Sequence, residues 1–530
     1  MVSFRILLGD LSSVWSADSS NWVAGRSRIS PILHQALHSA CLQSQNRSLM
    51  LVRERHQDYP TEQNDLGVEE CTDHEIDQQW SSISDWPLDF LAILIARQEE
   101  GPTVEVKCGR WGAAPVFLNV RDCELHGDWN VTNLYRHLLS SELDPAFVGQ
   151  YLAGGPAIYS SQTIFSEIRL LTERAHVLWD VPYDRLTFAF PAPEVQEPET
   201  NDEFSDKEEA LSQFQRALRK SLLSRVSVNE DVVGIELDGD LQSSVIALVA
   251  ADAGAWEVHS YGLLAPGRLG AIQAEMRQAI ARTAGLVDHE TLYSNYTPLH
   301  PESDRRRTMA VKPWSVLWDD AWGVLLEQAK TDRAMTMLTP RMADAWNEEP
   351  AASSLPSFAS ERVREAYAER ESLIAPAPSS LMGARAMQRG ADEAMSYLKH
   401  GIWPVSPFCS PEVCQFAARI PAEWRQSGSL LRSSLVNHGL GWAPSFTKEE
   451  TRESLADFAL KNAKDVFEDS RLVACGYIDG DRLRESLERY NEGDLSEAAA
   501  LSRATILELA IRSVESRSRG AYMNQVAEQM

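Results

Sequence analysis

The stretch Asp231-Val-Val-Gly-Ile-Glu-Leu-Asp-Gly-Asp-Leu-Gln-Ser-Ser-Val-Ile-Ala-Leu-Val-Ala250 decides the fold. Val232, Val233, Ile235 and Leu237 make a short apolar, partly β-branched run, which fits one buried strand. The run stops at Asp238-Gly239-Asp240, a turn signal in which the glycine is free to take a positive φ. From Leu241 the apolar period changes. Leu241, Val245, Leu248 and Val249 fall on one helical face, with Ser243 and Ser244 in the first turn. Strand, tight loop and helix N-terminus together present backbone N–H groups to an anion. No Gly-Lys-Ser/Thr follows, so this is not a Walker loop.

Outward from this loop the same alternation continues. Residues 208–223 read as a helix leading into the strand, 256–264 as a second strand, 271–283 as an amphipathic helix and 286–292 as a third strand. Strand–helix alternation of this kind predicts a parallel sheet with helices on its faces. Ligands of such sheets bind at the carboxyl ends of the strands, where the 238–244 loop would sit.

The first 190 residues read differently. Residues 84–97 and 103–108 predict two strands of a hairpin, Gly112 and Pro115 punctuate the entry to another strand at 116–120, and a helix is expected near 131–139. This spacing predicts a largely antiparallel β layer with a few helices. Residues 191–207 are proline-rich, acidic and poor in apolar side chains, and read as a linker. The expected organisation is therefore a domain at 1–190, a linker at 191–207 and a second domain at 208–530, each domain with its own core.

Composition narrows the partners. The 530 residues carry 77 acidic and 50 basic side chains, for a formal net charge of −27. That disfavours nucleic acid as the main ligand, since phosphate neutralisation needs clustered Lys and Arg. The cysteines (41, 71, 108, 123, 409, 414 and 475) form no Cys-x-x-Cys pair and read as reduced cytosolic thiols. No signal peptide and no run near the ~20 apolar residues of a membrane span is present, so a cytoplasmic location without membrane attachment is expected. His34 and His38 have the i, i+4 spacing that chelates a metal from one helix face, but no third ligand accompanies them, and packing or surface roles are expected. Arg305, Arg306 and Arg307 read as a solvated basic loop. Trp314, Trp318 and Trp322, spaced four apart, read as one apolar helix face packed in the core.

Residues 238–244 resemble the pyrophosphate-binding motif Ser-Gly-Gly-Leu-Asp-Ser-Ser of the asparagine synthetase family, keeping Gly239, Leu241, Ser243 and Ser244. Residues 338–346 (Leu-Thr-Pro-Arg-Met-Ala-Asp-Ala-Trp) are similar to the family's Leu-Ser-Gly-x-Gly-Ala-Asp-Glu-Leu, with Asp344 in place of its second magnesium-binding aspartate. Residues 401–410 (Gly-Ile-Trp-Pro-Val-Ser-Pro-Phe-Cys-Ser) resemble Gly-Ile-Glu-Val-Arg-Val-Pro-Phe-Leu-Asp. Residues 110–117 look like the Arg-Phe-Gly-x-x-Pro-Leu-Tyr segment of the family's amidotransferase-like domain, and residues 446–449 with the helices after them resemble the lasso peptide cyclase branch. The resemblance implies an α+β amidotransferase-like (Ntn-type) domain followed by an α/β adenylate-forming (PP-loop) domain with a helical C-terminal part. Glutamine-using members begin Met-Cys. Here Val2 stands second, and a valine methyl is no nucleophile, so glutamine hydrolysis is not expected.

The resemblance also implies a chemistry: joining a carboxylate to an amine through an acyl-adenylate, with ATP and Mg2+ as cofactors. In that reading Asp344 with Asp238 or Asp240 holds magnesium, Ser243 and Ser244 cradle pyrophosphate, and Lys448 stabilises the leaving group. A precursor peptide or a small molecule is the substrate, and the product is an isopeptide or lactam bond. The departures from the motifs point elsewhere. Gln242 replaces the motif aspartate, Pro340 and Met342 replace two glycines, and Trp403, Val405 and Ser410 replace a glutamate, an arginine and an aspartate. Asp238 and Asp240 add negative charge where pyrophosphate would lie, and like charges ~4 Å apart repel by roughly 4 kcal/mol at an effective dielectric near ~20. These changes fit a catalytically silent relative that binds a peptide or a partner enzyme of the same pathway as a scaffold.

Overall fold

The computed structural model describes residues 1–57, 66–98, 101–110, 115–154, 157–191, 204, 206–226, 230–340, 354–378, 384–441, 460 and 464–529. The first 190 residues build two seven-stranded sheets. Pairing is antiparallel throughout the described strands except where Leu37–Gln43 runs parallel to Val68–Glu70. Phe90–Gln98 shows why these strands read as near-continuous apolar runs. Its odd residues Leu91, Ile93 and Ile95 face the other sheet. Its even residues Phe90, Ala92 and Leu94 pack on Ile76 and Trp80 of the helix Asp73–Ser82. Successive side chains of a strand alternate faces, so a strand covered on both sides needs apolar residues at every position. Thr72 and Glu75 start that helix with a reciprocal capping box.

Two expectations for this half are corrected. The hairpin of Phe90–Gln98 with Gly101–Cys108 is present, but its first strand begins at Phe90, because Ile83–Asp85 forms a 3-10 turn. Residues 131–139 form no α-helix. Val131–Asn133 and Tyr135–His137 are separate 3-10 turns, and Leu138 is extended. Val, Thr and Asn are poor helix formers, and the Asn130 side chain turns the backbone tightly by accepting from Thr132 N.

The second half holds a five-stranded, wholly parallel sheet of β1 (Val232–Glu236), β2 (Glu257–Leu264), β3 (Val287–Leu292), β4 (Thr336–Leu338) and β5 (Trp403–Val405), in the order β3-β2-β1-β4-β5. Helix α1 (Lys207–Arg225) precedes it; α2 (Leu241–Ala253), α3 (Gly267–Ala284), α4 (Asp319–Thr331) and α5 (Ala384–Leu398) are connections between its strands. Helix α2 differs from the amphipathic expectation: every residue from Gln242 to Ala250 is buried. The sheet covers one side of it, while α1 and the helix Ser429–Asn437 cover the other. A helix enclosed on all sides is apolar all round.

The long helix α6 (Ala498–Gln529) crosses back to the first half. Its Leu501, Ala504, Leu507, Ile511 and Val514 share a core with Tyr135, Val148, Leu152 and Phe165. The other large cluster likewise joins Ile6, Val52 and Ile93 to Val233, Val245 and Trp403. The expectation of a separate core for each half is therefore corrected: both clusters draw residues from both sides of 191–207. Of that segment, Phe204 is buried against Phe416, and 192–203 and 205 lie outside the described residues. No helix among the described residues is long and apolar enough to cross a membrane.

Candidate functional site

In the order β3-β2-β1-β4-β5 the chain first winds one way from β1 and then returns to its other side. The winding therefore reverses between β1 and β4, and open α/β sheets place their ligands at the carboxyl ends of strands flanking such a switch point. The 237–244 loop forms a lip at the end of β1. Leu237 N donates to Tyr261 O (2.9 Å), and Gly239 turns the backbone with φ +84°. A Cβ at Gly239 would stand 3.3 Å from Gln273 O, so a side chain there is both strained and crowded.

The loop's polar groups are turned on one another. Asp238 Oδ1 accepts from Asp240 N (2.9 Å) and from Ser243 Oγ (2.5 Å). Asp240 is the N-cap of α2, its Oδ1 accepting from Ser243 N at 2.7 Å. Ser244 Oγ donates to the Asp240 carbonyl (2.5 Å). Both serines are fully buried. The two hydroxyls expected to cradle pyrophosphate thus serve their own loop, and the helix N-terminus already receives an anion supplied by the chain.

Beneath the lip lies a cation that the sequence did not advertise. Arg277 of α3 is fully buried and donates to the Leu237 carbonyl, to Asp288 Oδ1 and to the His289 carbonyl, the last at 3.0 Å. Burial lowers its pKa, and Asp288, Glu290 and Asp238 oppose that shift. Its reach depends on Gly262, where a Cβ would collide with both the guanidinium and the Leu237 carbonyl. Glu236 at the end of β1 accepts from Thr339 Oγ1 (2.9 Å) and from Tyr397 Oη of α5 (2.6 Å). Glu236 therefore ties together the ends of β1, β4 and α5. A strand-end glutamate before the loop was the only sequence signal for it.

Of the predicted site residues, Gly239, Leu241, Ser243, Ser244, Asp238 and Asp240 all belong to this lip. Asp344 and Lys448 lie outside the described residues, as do Met342 and the 446–449 segment. Trp403 and Ser410, which stand where the resembled motif has acids, make structural contacts here. The Trp403 indole donates to Glu54 (3.1 Å), and Ser410 caps the helix Pro411–Arg419.

A hollow of about 900 Å3 opens on the α4/α5 flank and includes none of residues 236–244. Arg305, Lys312, Asp319, Asp320, Ser396 and Lys399 line it. The expectation of a solvated 305–307 run holds for Arg307, which is exposed, but is corrected for Arg305, which is buried and paired with Asp320 at 2.5 Å and with Asp319 at 3.7 Å. Burial pushes the Asp319 carboxyl up, but Lys399, Arg305 and Lys312 outweigh it and hold it below the usual range. Lys312 is drawn down by burial, and its ammonium donates to the Asp392 carbonyl. Burial also raises the Asp392 carboxyl to about 7. The three tryptophans nearby do not share one helix face, since α4 begins only at Asp319. Trp314 stacks on Phe117, whereas Trp322 meets Tyr397 edge-on. His34 and His38 are not on a helix either: His38 lies in the strand Leu37–Gln43, and His34 precedes it.

No family model and no curated relative matches this sequence. Among solved structures, the U34-tRNA thiolase NcsA from Methanococcus maripaludis with its [4Fe-4S] cluster is similar at 14% identity. The match covers 54% of this chain and 81% of that chain, with a TM-score of 0.28. A likeness of that strength carries no argument about fold or chemistry.

Proposed function

We propose that this chain is a non-adenylating relative of the asparagine synthetase-like amide ligases, binding a peptide or a partner enzyme rather than turning over ATP. The observation that carries this is the Asp240 carboxylate, which caps α2 through Ser243 N at 2.7 Å. A helix N-terminus holds a phosphate through its unpaired N–H groups and its dipole. Here one of those donors already faces a carboxylate, and a second anion brought to it would meet repulsion. The residues of the lip do not fit pyrophosphate. Gln242, neutral and buried, offers no charge to a magnesium ion that prefers carboxylate and phosphate oxygens.

The test is ATP–pyrophosphate exchange together with a thermal shift in millimolar magnesium-ATP. No exchange and no shift are expected. A ligand bound only by the native state at about 100 times its dissociation constant adds ~2.7 kcal/mol, so a rise of several degrees would overturn the proposal.

That result would favour a second reading, ATP-dependent amide-bond formation of the lasso-cyclase kind on a precursor peptide or small carboxylate. Its support is the polar cluster at the carboxyl ends of β1 and β4, where Thr339 and Tyr397 both donate to Glu236. In that reading Asp344 with Asp238 or Asp240 serves magnesium, and Lys448 the leaving group.

A further inference from the structure

On the α4 face of the sheet, three side chains from three elements bring their ligating atoms together. His259 comes from β2, His289 from β3, and Asp332 from the turn after α4. One ligand atom from each lies within 4.8 Å of the other two. Asp332 Oδ2 is 3.7 Å from His259 Nδ1 and 3.2 Å from His289 Nε2. Both nitrogens are buried, and neither has a hydrogen-bond partner. A bare imidazole nitrogen facing a carboxylate oxygen is repulsive unless something positive lies between them.

We infer that His259, His289 and Asp332 form a binding site for a divalent first-row transition-metal ion of the zinc class. Zinc bonds of about 2.0–2.1 Å to nitrogen and oxygen put tetrahedral ligand atoms about 3.3–3.4 Å apart, and the two separations above bracket that spacing. Two imidazoles and one carboxylate suit Zn2+, Co2+ or Fe2+ better than Mg2+ or Ca2+.

The surroundings orient the ligands as metal sites require. His259 Nε2 lies 3.0 Å from Glu257 Oε1. A carboxylate there accepts the Nε2 proton and leaves the Nδ1 lone pair directed at the cluster. Tyr261 Oη donates to Asp332 Oδ2 and Gln328 Nε2 to Oδ1, both at 2.9 Å. The Tyr261 ring lies against His289, with centroids 5.1 Å apart and planes 10° from parallel. Side-chain exposures of 12%, 26% and 15% for His259, His289 and Asp332 leave a narrow opening. Three protein ligands leave a fourth position for water or a ligand atom. The 238–244 loop lies beyond the strand ends, and the metal site is independent of whether that loop binds nucleotide.

The experiment uses the untagged full-length chain, stripped with EDTA and titrated calorimetrically with Zn2+, then loaded with Co2+ and read by visible absorption. A single saturable equivalent is expected, with d–d bands and no thiolate charge-transfer band. Asp332→Ala and His289→Ala should each weaken binding at least 100-fold, and Glu257→Gln by about 10- to 100-fold. His438→Ala, which removes a histidine paired instead with Asp252, should leave it unchanged. Absence of saturable binding by the unaltered chain would overturn the inference and mark the cluster as a proton-held ion pair. Thiolate bands, or affinity undiminished in folded Asp332→Ala and His289→Ala chains, would overturn it as well. Should those variants fail to fold, the stoichiometry and spectrum of the unaltered chain decide the matter.

Discussion

The Asp240 side chain has two properties that substitution separates, a hydrogen-bond acceptor and a charge. Asp240→Ala removes both and should cost about 1 kcal/mol, the usual loss for an N-cap. Asp240→Asn keeps the acceptor and should be nearly neutral. Urea unfolding midpoints check this, and an equal loss in both variants would show that the charge matters rather than the cap. The loop itself was legible in the sequence, because a β-branched run ending at Gly239 has few other readings. The direction of its carboxylates was not. Asp238 and Asp240 read as charges offered outward, whereas Ser243 turns both inward. Glu236 and Arg277 stayed hidden for another reason. Tyr397 lies 161 residues from Glu236 and Leu237 lies 40 residues from Arg277, and no local pattern spans such separations.

Of the parallel sheet, the strands near 232–237, 256–264 and 286–292 were readable in the sequence, whereas β4 and β5, of three residues each, are too short to show a period. What a helix packs against is not in its own residues. Helix α2 looked one-faced, yet Ser243, Ser244 and Ala247 are as buried as Leu248, because α1 closes its outer side. The C-terminal turn of α1 carries a further tie. Arg225 Nε donates to Glu54 Oε1 at 2.8 Å, and the Trp403 indole reaches the same oxygen. Glu54 belongs to the strand Arg47–Glu54 of the first half, and its side chain is fully buried. Removing one partner of such a pair strands the other charge, at a cost of about 3–5 kcal/mol. Arg225→Met should therefore lower stability by that amount in denaturant melts. Combining it with Glu54→Gln should recover part of the loss, and an additive double variant would show that the pair is not coupled.

Buried histidines give the whole chain a pH dependence. His34 is buried and makes both its hydrogen bonds as a neutral ring, Nε2 to the Met335 carbonyl (3.1 Å) and Nδ1 from Ala36 N (3.0 Å). Burial lowers its pKa to about 4, despite the Met335 carbonyl. The unfolded chain, with a histidine pKa near ~6.5, takes up the proton first as pH falls. Stability therefore drops between about 6.5 and 4, by at most about 3 kcal/mol from this residue. His34→Gln should flatten that part of the pH–melting curve, and an unchanged slope would refute the assignment. His34 also bridges the two halves, since Met335 precedes β4. The sequence divided the chain at 191–207 from composition alone, and the sheets do fall on either side. That division implied a core for each half and missed both α6 and the shared cores, because contacts across a boundary leave no trace in either segment's composition. Those shared cores make backbone continuity dispensable once the molecule has folded. A nick between residues 192 and 203 would leave two fragments clasped by Leu507, Ile511, Val148 and Leu152, migrating as a single particle until denaturant parts them.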